Sequence, residues 1–66
     1  MKINGKLMSV KMAIKGYTLV KFADVSGVSR ATISAVKNGK SCSYNTAAKI
    51  AKALNIDVME LIESEV

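Results

Sequence analysis

The sequence contains no histidine, no proline and no tryptophan, and it has a single cysteine, Cys42. One cysteine without histidine provides neither an intrachain disulfide nor an ordinary zinc site. Four of the five acidic residues lie in the last ten positions, so no nucleophile has a base to pair with. We therefore expect no enzyme, no cofactor and no metal. An unpaired cysteine is typical of a reducing compartment.

Long apolar runs are missing as well. No stretch approaches the ~18 residues of a membrane span, and the N-terminal MKINGKLMSV is too polar for a secretory signal. Half of the 66 residues are nevertheless apolar, which argues against disorder. These features predict a cytoplasmic protein with one folded domain over residues 1–66 and no membrane partner.

Acidic residues are nearly absent from most of the chain. Residues 1–56 hold all ten Lys and Arg residues against one acid, Asp24, a balance of +9. Residues 57–66 hold four acids and no base, a balance of −4, which gives the net charge of +5. A region this basic is expected to attract polyanions. Nucleic acid is the first candidate partner and an anionic membrane is the second. A lysine-rich solvated surface is the plainer alternative.

The spacing of apolar residues predicts an all-α fold. Leu7, Val10 and Ile14 recur at i, i+3 and i+7, which indicates a first helix with these side chains in the core. Phe22 and Ala23 are expected to face inward from the second helix. The same reasoning predicts five short helices, over residues 4–14, 19–25, 30–36, 44–54 and 58–63.

Polar residues and glycines mark the expected helix ends. Predicted N-caps are Asn4, Thr18 and Ser29, and Asp57 with Glu60 has the spacing of a capping box. Val28 and Ile33 are placed as a hydrophobic staple around the third helix start. Predicted ends are Gly16, Gly27, Asn38-Gly39 and Asn55.

The second helix, the turn at Gly27 and the third helix have the spacing of a helix-turn-helix. The string FADVSGVSRATISAVKNGK resembles the lambda-repressor-like family (Cro/CI, XRE type), and KIAKALNIDVMELI resembles its fourth and fifth helices. The resemblance covers roughly residues 7–62. It implies a compact five-helix DNA-binding domain in a small Cro-like transcriptional regulator. Such regulators belong to phages, prophages and mobile elements and act at the bacterial nucleoid.

The resemblance implies that residues 29–37 form a recognition helix in the major groove of double-stranded DNA. Arg30 can donate two hydrogen bonds to a guanine, although a phosphate contact is the alternative. Ala31 and Ala35 can touch a thymine methyl group, or their small size can simply permit a close approach of the helix to the DNA. The base-contact candidates are Ser29, Arg30, Ala31, Ser34 and Ala35.

Phosphate contacts are carried over from the family in the same way. The family commonly has a Gln just after the start of the second helix, but this chain has Leu19, which leaves only a backbone amide there. Tyr44 and Asn45 are expected to close the edge of this surface. The phosphate-contact candidates are Thr18, Leu19, Lys21, Thr32, Lys37, Asn38, Lys40, Ser41 and Ser43.

The resemblance also implies a homodimer on DNA, with contacts at Asn55, Ile56, Asp57 and Val58. Packing and capping within one chain are the alternative for these residues, and the better explanation for Ile56 and Asp57. An alternative function is a protein-binding antirepressor or the antitoxin of a toxin pair, which would bind a repressor or a toxin through Val58, Met59 and Ile62. A membrane-surface role for the basic first helix is disfavoured because its apolar stripe is expected in the core. We expect no small-molecule ligand.

Overall fold

Five helices follow one another along residues 1–62, the part of the chain that the computed structural model describes. They are α1 (Gly5–Lys15), α2 (Leu19–Ser26), α3 (Arg30–Lys37), α4 (Tyr44–Leu54) and α5 (Val58–Leu61). Extended pairing within this range is one antiparallel bridge between Ile3 and Ile62. The all-α fold class is thus confirmed, with helix bounds close to those predicted.

Every helix starts at a polar side chain that accepts a hydrogen bond from a backbone amide of the first turn. The predicted caps Asn4, Thr18 and Ser29 accept from the amides three residues ahead, at 3.0–3.2 Å. Ser43 does the same for α4 at 3.2 Å. Such caps stabilise a helix by about 1 kcal/mol each. They matter here because helices of eight to eleven residues are marginal alone.

The capping box predicted for α5 forms only in part. Asp57 Oδ1 accepts from the Met59 amide at 2.9 Å, whereas the Glu60 amide donates to the Asp57 carbonyl at 3.0 Å. The helix is only four residues long because Ile62 turns to an extended conformation and pairs with Ile3. The prediction that Ile62 is helical is therefore wrong, and the predicted end at residue 63 lies outside the described residues.

Left-handed residues end three of the helices. Gly16 and Gly27 have φ of 72° and 74°, as predicted for these stops. Asn55 ends α4 with φ of 58°, which a short polar side chain tolerates better than most. The Ile56 amide then donates back to the Ala51 carbonyl at 3.0 Å. This bond fixes the tight turn into α5.

The core is built from one or more side chains of every helix. Phe22 is fully buried at its centre, with the Tyr17 ring 5.8 Å away. The α4 residues Ala47, Ile50, Ala51 and Leu54 are all buried, as are Val28, Ile33 and Val36 around α3. Val58 and Ala23 are half-buried against this cluster. The core therefore fixes α3 through residues on both sides of its first turn and at its end.

The predicted inner face of α1 is wrong. Val10 is 48% exposed and Ile14 is 73% exposed, while Met8 and Met12 enter the core instead. The reason lies at Gly5, which shares the i, i+3, i+7 face of the two methionines. A Cβ on Gly5 would lie 2.5 Å from the Lys37 carbonyl oxygen. Only the face that carries the glycine can approach the end of α3 so closely.

No helix among residues 1–62 is long and apolar enough to cross a membrane. The same residues contain no group of three or more His, Cys, Asp or Glu side chains that could hold a metal ion.

Candidate nucleic-acid interface

The outer face of α3 carries small side chains between one long side chain at each end, Arg30 and Lys37. Arg30 and Ala31 are exposed at its first turn, and Ser34 and Ala35 lie one turn further on, half-buried. Four of the five predicted base-contact residues therefore lie along the outer side of α3, and the fifth, Ser29, caps it. The arrangement gives a shallow surface from which Arg30 extends at the first turn and Lys37 at the last.

Ser29 is largely occupied with the helix itself. Its Oγ accepts from the Thr32 amide at 3.2 Å and donates to Thr32 Oγ1 at 2.9 Å. The two hydroxyls share one hydrogen bond, so the pair keeps one free hydroxyl hydrogen that it could donate to a phosphate oxygen.

Arg30 shares an open concavity of about 580 Å³ between α2 and α3 with Asp24, the only acid before residue 57. The other residues lining it are Val20, Ala23, Gly27, Val28 and Ser29. Sequence reasoning did not place Asp24 beside the main base-reading candidate. A carboxylate there opposes an approaching phosphate, which favours a base over the backbone as the partner of Arg30.

The starts of α2, α3 and α4 are free of acidic side chains. None of them has an Asp or Glu in its first turn, where a carboxylate would normally offset the positive end of the helix. Their caps, Thr18, Ser29 and Ser43, are all exposed. Unneutralised helix N-termini with free amides are suited to phosphate binding. Leu19, 38% exposed, adds no polar group to the first of them, and Lys21 is exposed one turn later.

The last residue of α3 and the fixed turn that follows it hold four of the phosphate candidates. Gly39 has φ of 98°, which allows the Lys40 amide to donate to the Ala35 carbonyl at 3.0 Å. Lys37, Asn38 and Lys40 are exposed along this turn, and Ser41 follows. The turn therefore presents two lysines close to the end of α3.

Two hydrogen bonds at Cys42 connect this turn to the start of the chain. The Cys42 amide donates to the Met1 carbonyl at 2.8 Å, and the Met1 ammonium donates to the Cys42 carbonyl at 2.9 Å. Burial raises the pKa of the Cys42 thiol, and the ammonium lowers it in part. A raised pKa leaves the thiol protonated at neutral pH, which is the state of an unreactive cysteine.

Thr46 is a further candidate that sequence reasoning missed. Ser43 Oγ donates to Thr46 Oγ1 at 3.1 Å and accepts from the Thr46 amide at 3.2 Å, as in the Ser29–Thr32 pair. Ser43 thus caps α4, and the Ser43–Thr46 pair keeps one free hydroxyl hydrogen. Tyr44 is 58% exposed and Asn45 is exposed beside it. The repeated Ser-x-x-Thr spacing was the signal in the sequence.

The residues predicted for dimer contacts line a groove of about 500 Å³ between α4 and α5. Asn55 and Asp57 are exposed there but serve as helix caps, and Ile56 and Val58 are half-buried. Of the residues proposed for a protein partner, Met59 is 74% exposed, whereas Ile62 is half-buried and paired with Ile3. The groove, more than any single side chain, is the notable surface of this end of the molecule.

Comparison with known proteins gives one family match. A family model described as helix-turn-helix matches residues 10–61, which includes α2, the turn at Gly27 and α3. The searches of curated proteins and of solved structures returned no match. The match covers most of the chain and agrees with the five-helix fold. The chain belongs to the lambda-repressor-like, XRE-type helix-turn-helix family of DNA-binding regulators.

Proposed function

We propose that this protein is a sequence-specific double-stranded DNA-binding transcriptional regulator of the Cro/repressor kind, which places α3 in the major groove. The observation that carries the proposal is the outer face of α3. It bears Arg30, two alanines and a serine, and no acid, on a helix anchored by Val28, Ile33 and Val36. A major groove about 12 Å wide admits a helix whose outer side chains are small.

A few side chains on this face are proposed to contact bases. Arg30 presents the planar fork that matches guanine O6 and N7, and each such pair discriminates by ~1–3 kcal/mol. Ala31, exposed beside it, and Ala35 supply methyl groups for thymine, and Ser34 bonds to several bases. Ser29 holds the helix start and ranks below the others because its hydroxyl is used.

Phosphate contacts fix the pose of α3 on the duplex. The helix starts at Thr18 and Ser43 offer free amides, and the Ser29–Thr32 and Ser43–Thr46 pairs each offer one hydroxyl hydrogen. Lysines then add charge around these positions. The full proposed set is Thr18, Leu19 (through its amide), Lys21, Thr32, Lys37, Asn38, Lys40, Ser41, Ser43 and Thr46.

Size supports binding as a dimer. The domain measures 32 × 21 × 18 Å, so one copy spans no more than about one turn of duplex, roughly 34 Å. One recognition helix makes few specific contacts, and two copies on a two-fold operator would double them. The groove around Asn55–Val58 is the proposed region of contact.

Salt dependence tests the proposed phosphate surface. The logarithm of DNA affinity should fall linearly with the logarithm of salt concentration, by about 0.9 for each phosphate neutralised. Lys40→Ala should lower that slope by about one unit and leave the preferred sequence unchanged. Fluorescence anisotropy on a labelled duplex at several salt concentrations measures both.

Lys49→Ala is the matched control, because Lys49 is an exposed lysine of α4 outside the proposed contacts. Its slope should equal that of the wild type. If Lys40→Ala and Lys49→Ala change the slope equally, the turn after α3 is not a specific phosphate site.

The second candidate function is a protein-binding antirepressor or antitoxin. Its support is Met59, which at 74% exposure is the most exposed large apolar side chain of the described residues. That function predicts no preferred duplex. It also predicts that Met59→Lys abolishes partner binding, and it gives Arg30 no role.

A further inference from the structure

The first helix is apolar on two opposite sides. Met8 and Met12 fill the core, and Val10 and Ile14 stand on the outer side with 48% and 73% of their surface exposed. Ala13 is exposed beside them. Exposed apolar side chains grouped on one side of a helix, with charged residues around them, are typical of an interaction surface. The outer side of α1 therefore has the composition of a contact surface.

A shallow concavity extends this surface toward the start of α1. It has a volume of about 260 Å³ and is lined by Asn4, Lys6, Leu7 and Val10. Lys6 and Lys15 are exposed at either end of the stripe. The described structure has no acid on α1 to offset them. A counterpart for this surface should therefore combine apolar side chains with carboxylates.

The groove between α4 and α5 has that combination. Its apolar part comes from Ala48, Ala51, Ile56 and Val58, and its acidic part comes from Asp57 and Glu60, with Lys52 and Asn55 completing the lining. Its volume of about 500 Å³ leaves room for an aliphatic side chain. Met59 is exposed on the same helix.

We propose that α1 of one copy docks in the α4–α5 groove of a second copy. Ile14 and Val10 would contact the apolar part of the groove, and Lys6 and Lys15 would lie near Asp57 and Glu60. Opposite charges on the two surfaces favour this pairing. Packing α1 against α1 of another copy would instead bring lysines of both copies together.

The contact joins two different surfaces, and each copy carries one of each. Two such contacts related by a two-fold axis would close a dimer, as a two-fold operator requires. It goes beyond the proposed function because it forms without DNA and involves none of the proposed base-reading residues. It also names α1 of the second copy as the element that binds in the groove at Asn55–Val58, whereas the predicted dimer region had no specified contact partner.

Complementary variants test the contact. Ile14→Glu removes the apolar side chain of α1 and places a carboxylate against an acidic groove, while Glu60→Lys places a lysine against a basic helix. Each should weaken self-association by roughly tenfold or more. An equimolar mixture should associate again, since one variant keeps its groove and the other keeps its α1. Sedimentation velocity without DNA, at protein concentrations up to about 1 mM, measures this.

Val20→Glu is the matched control, because Val20 is 60% exposed on α2, away from both surfaces. It should self-associate like the wild type. The proposal is overturned if the wild type stays monomeric over this range. It is also overturned if Glu60→Lys associates normally or if the mixture does not associate.

DNA binding by Ile14→Glu separates this proposal from the proposed function. The variant should keep its sequence preference on a single half-site, since α3 is unchanged. If Ile14→Glu loses self-association and keeps its sequence preference, both proposals are supported. If the wild type shows no sequence preference, only the DNA-binding function is contradicted.

Discussion

Arg30→Ala should lower the affinity for the preferred duplex by about 5- to 150-fold, the equivalent of ~1–3 kcal/mol. Arg30 is the one long side chain among the proposed base-contact residues of α3, and its two parallel donors match a guanine. The loss should be concentrated at one base pair, because the other proposed base-contact groups are methyls and hydroxyls. Competition binding against a set of single-base variants of the site measures both effects.

Arg30→Lys is the informative companion variant. It keeps the positive charge but loses the planar fork, so it should bind unrelated DNA almost as well as wild type while its preference at that base pair falls. Unfolding is not a concern because Arg30 is exposed. If Arg30→Ala weakens binding to specific and unrelated DNA by the same factor, Arg30 contacts a phosphate and the base assignment is wrong.

Gly5→Ala should destabilise the fold by ~1–3 kcal/mol. The added Cβ would lie 2.5 Å from the Lys37 carbonyl oxygen and 3.1 Å from its carbon. These are backbone atoms at the end of α3, so relief requires α1 and α3 to separate. In a helix without such a contact, the same change would stabilise by roughly 0.5–1 kcal/mol, which makes the sign of the effect diagnostic. Urea denaturation followed by circular dichroism gives the free energy of unfolding.

Lys6→Ala is the control for this change, because Lys6 is the next residue of α1 and is exposed. Its stability should stay within about 0.5 kcal/mol of wild type. DNA affinity of Gly5→Ala should also fall at a temperature where it remains folded, since α3 carries the proposed contacts. A Gly5→Ala variant that is as stable as wild type would show that α1 does not pack on the end of α3 in this way.

The features that sequence reasoning predicted well are local ones. Asn4, Thr18 and Ser29 cap helices through amides three residues ahead, and Gly16 and Gly27 end helices with positive φ. Each of these depends on a few neighbouring residues, so the sequence pattern is sufficient. The helix-turn-helix spacing is local in the same sense.

The features that sequence reasoning missed depend on contacts between distant segments. The inner face of α1 could not be chosen from its own residues, because both faces are apolar and the approach of Gly5 to Lys37 decides between them. The pairing of Ile3 with Ile62 shortens α5, and the Met1–Cys42 pairing holds the start of the chain. The closeness of Asp24 to Arg30 likewise requires α2 and α3 to be packed.

The base-contact set was predicted from resemblance, and the structure refines its ranking. Arg30 and Ala31 have exposed side chains, whereas the hydroxyl of Ser29 is used within the helix. Thr46 joins the phosphate candidates because its hydroxyl is paired with that of Ser43 in the same way. These assignments stay proposals until DNA binding is measured.

Selection from a pool of random duplexes tests the central claim most directly. It should be carried out near 0.15 M salt, because low salt strengthens binding to any sequence. We predict enrichment of one short motif that contains a guanine needed by Arg30, and an inverted repeat of that motif where two copies bind. Recovery of a pool without any enriched sequence would contradict the account.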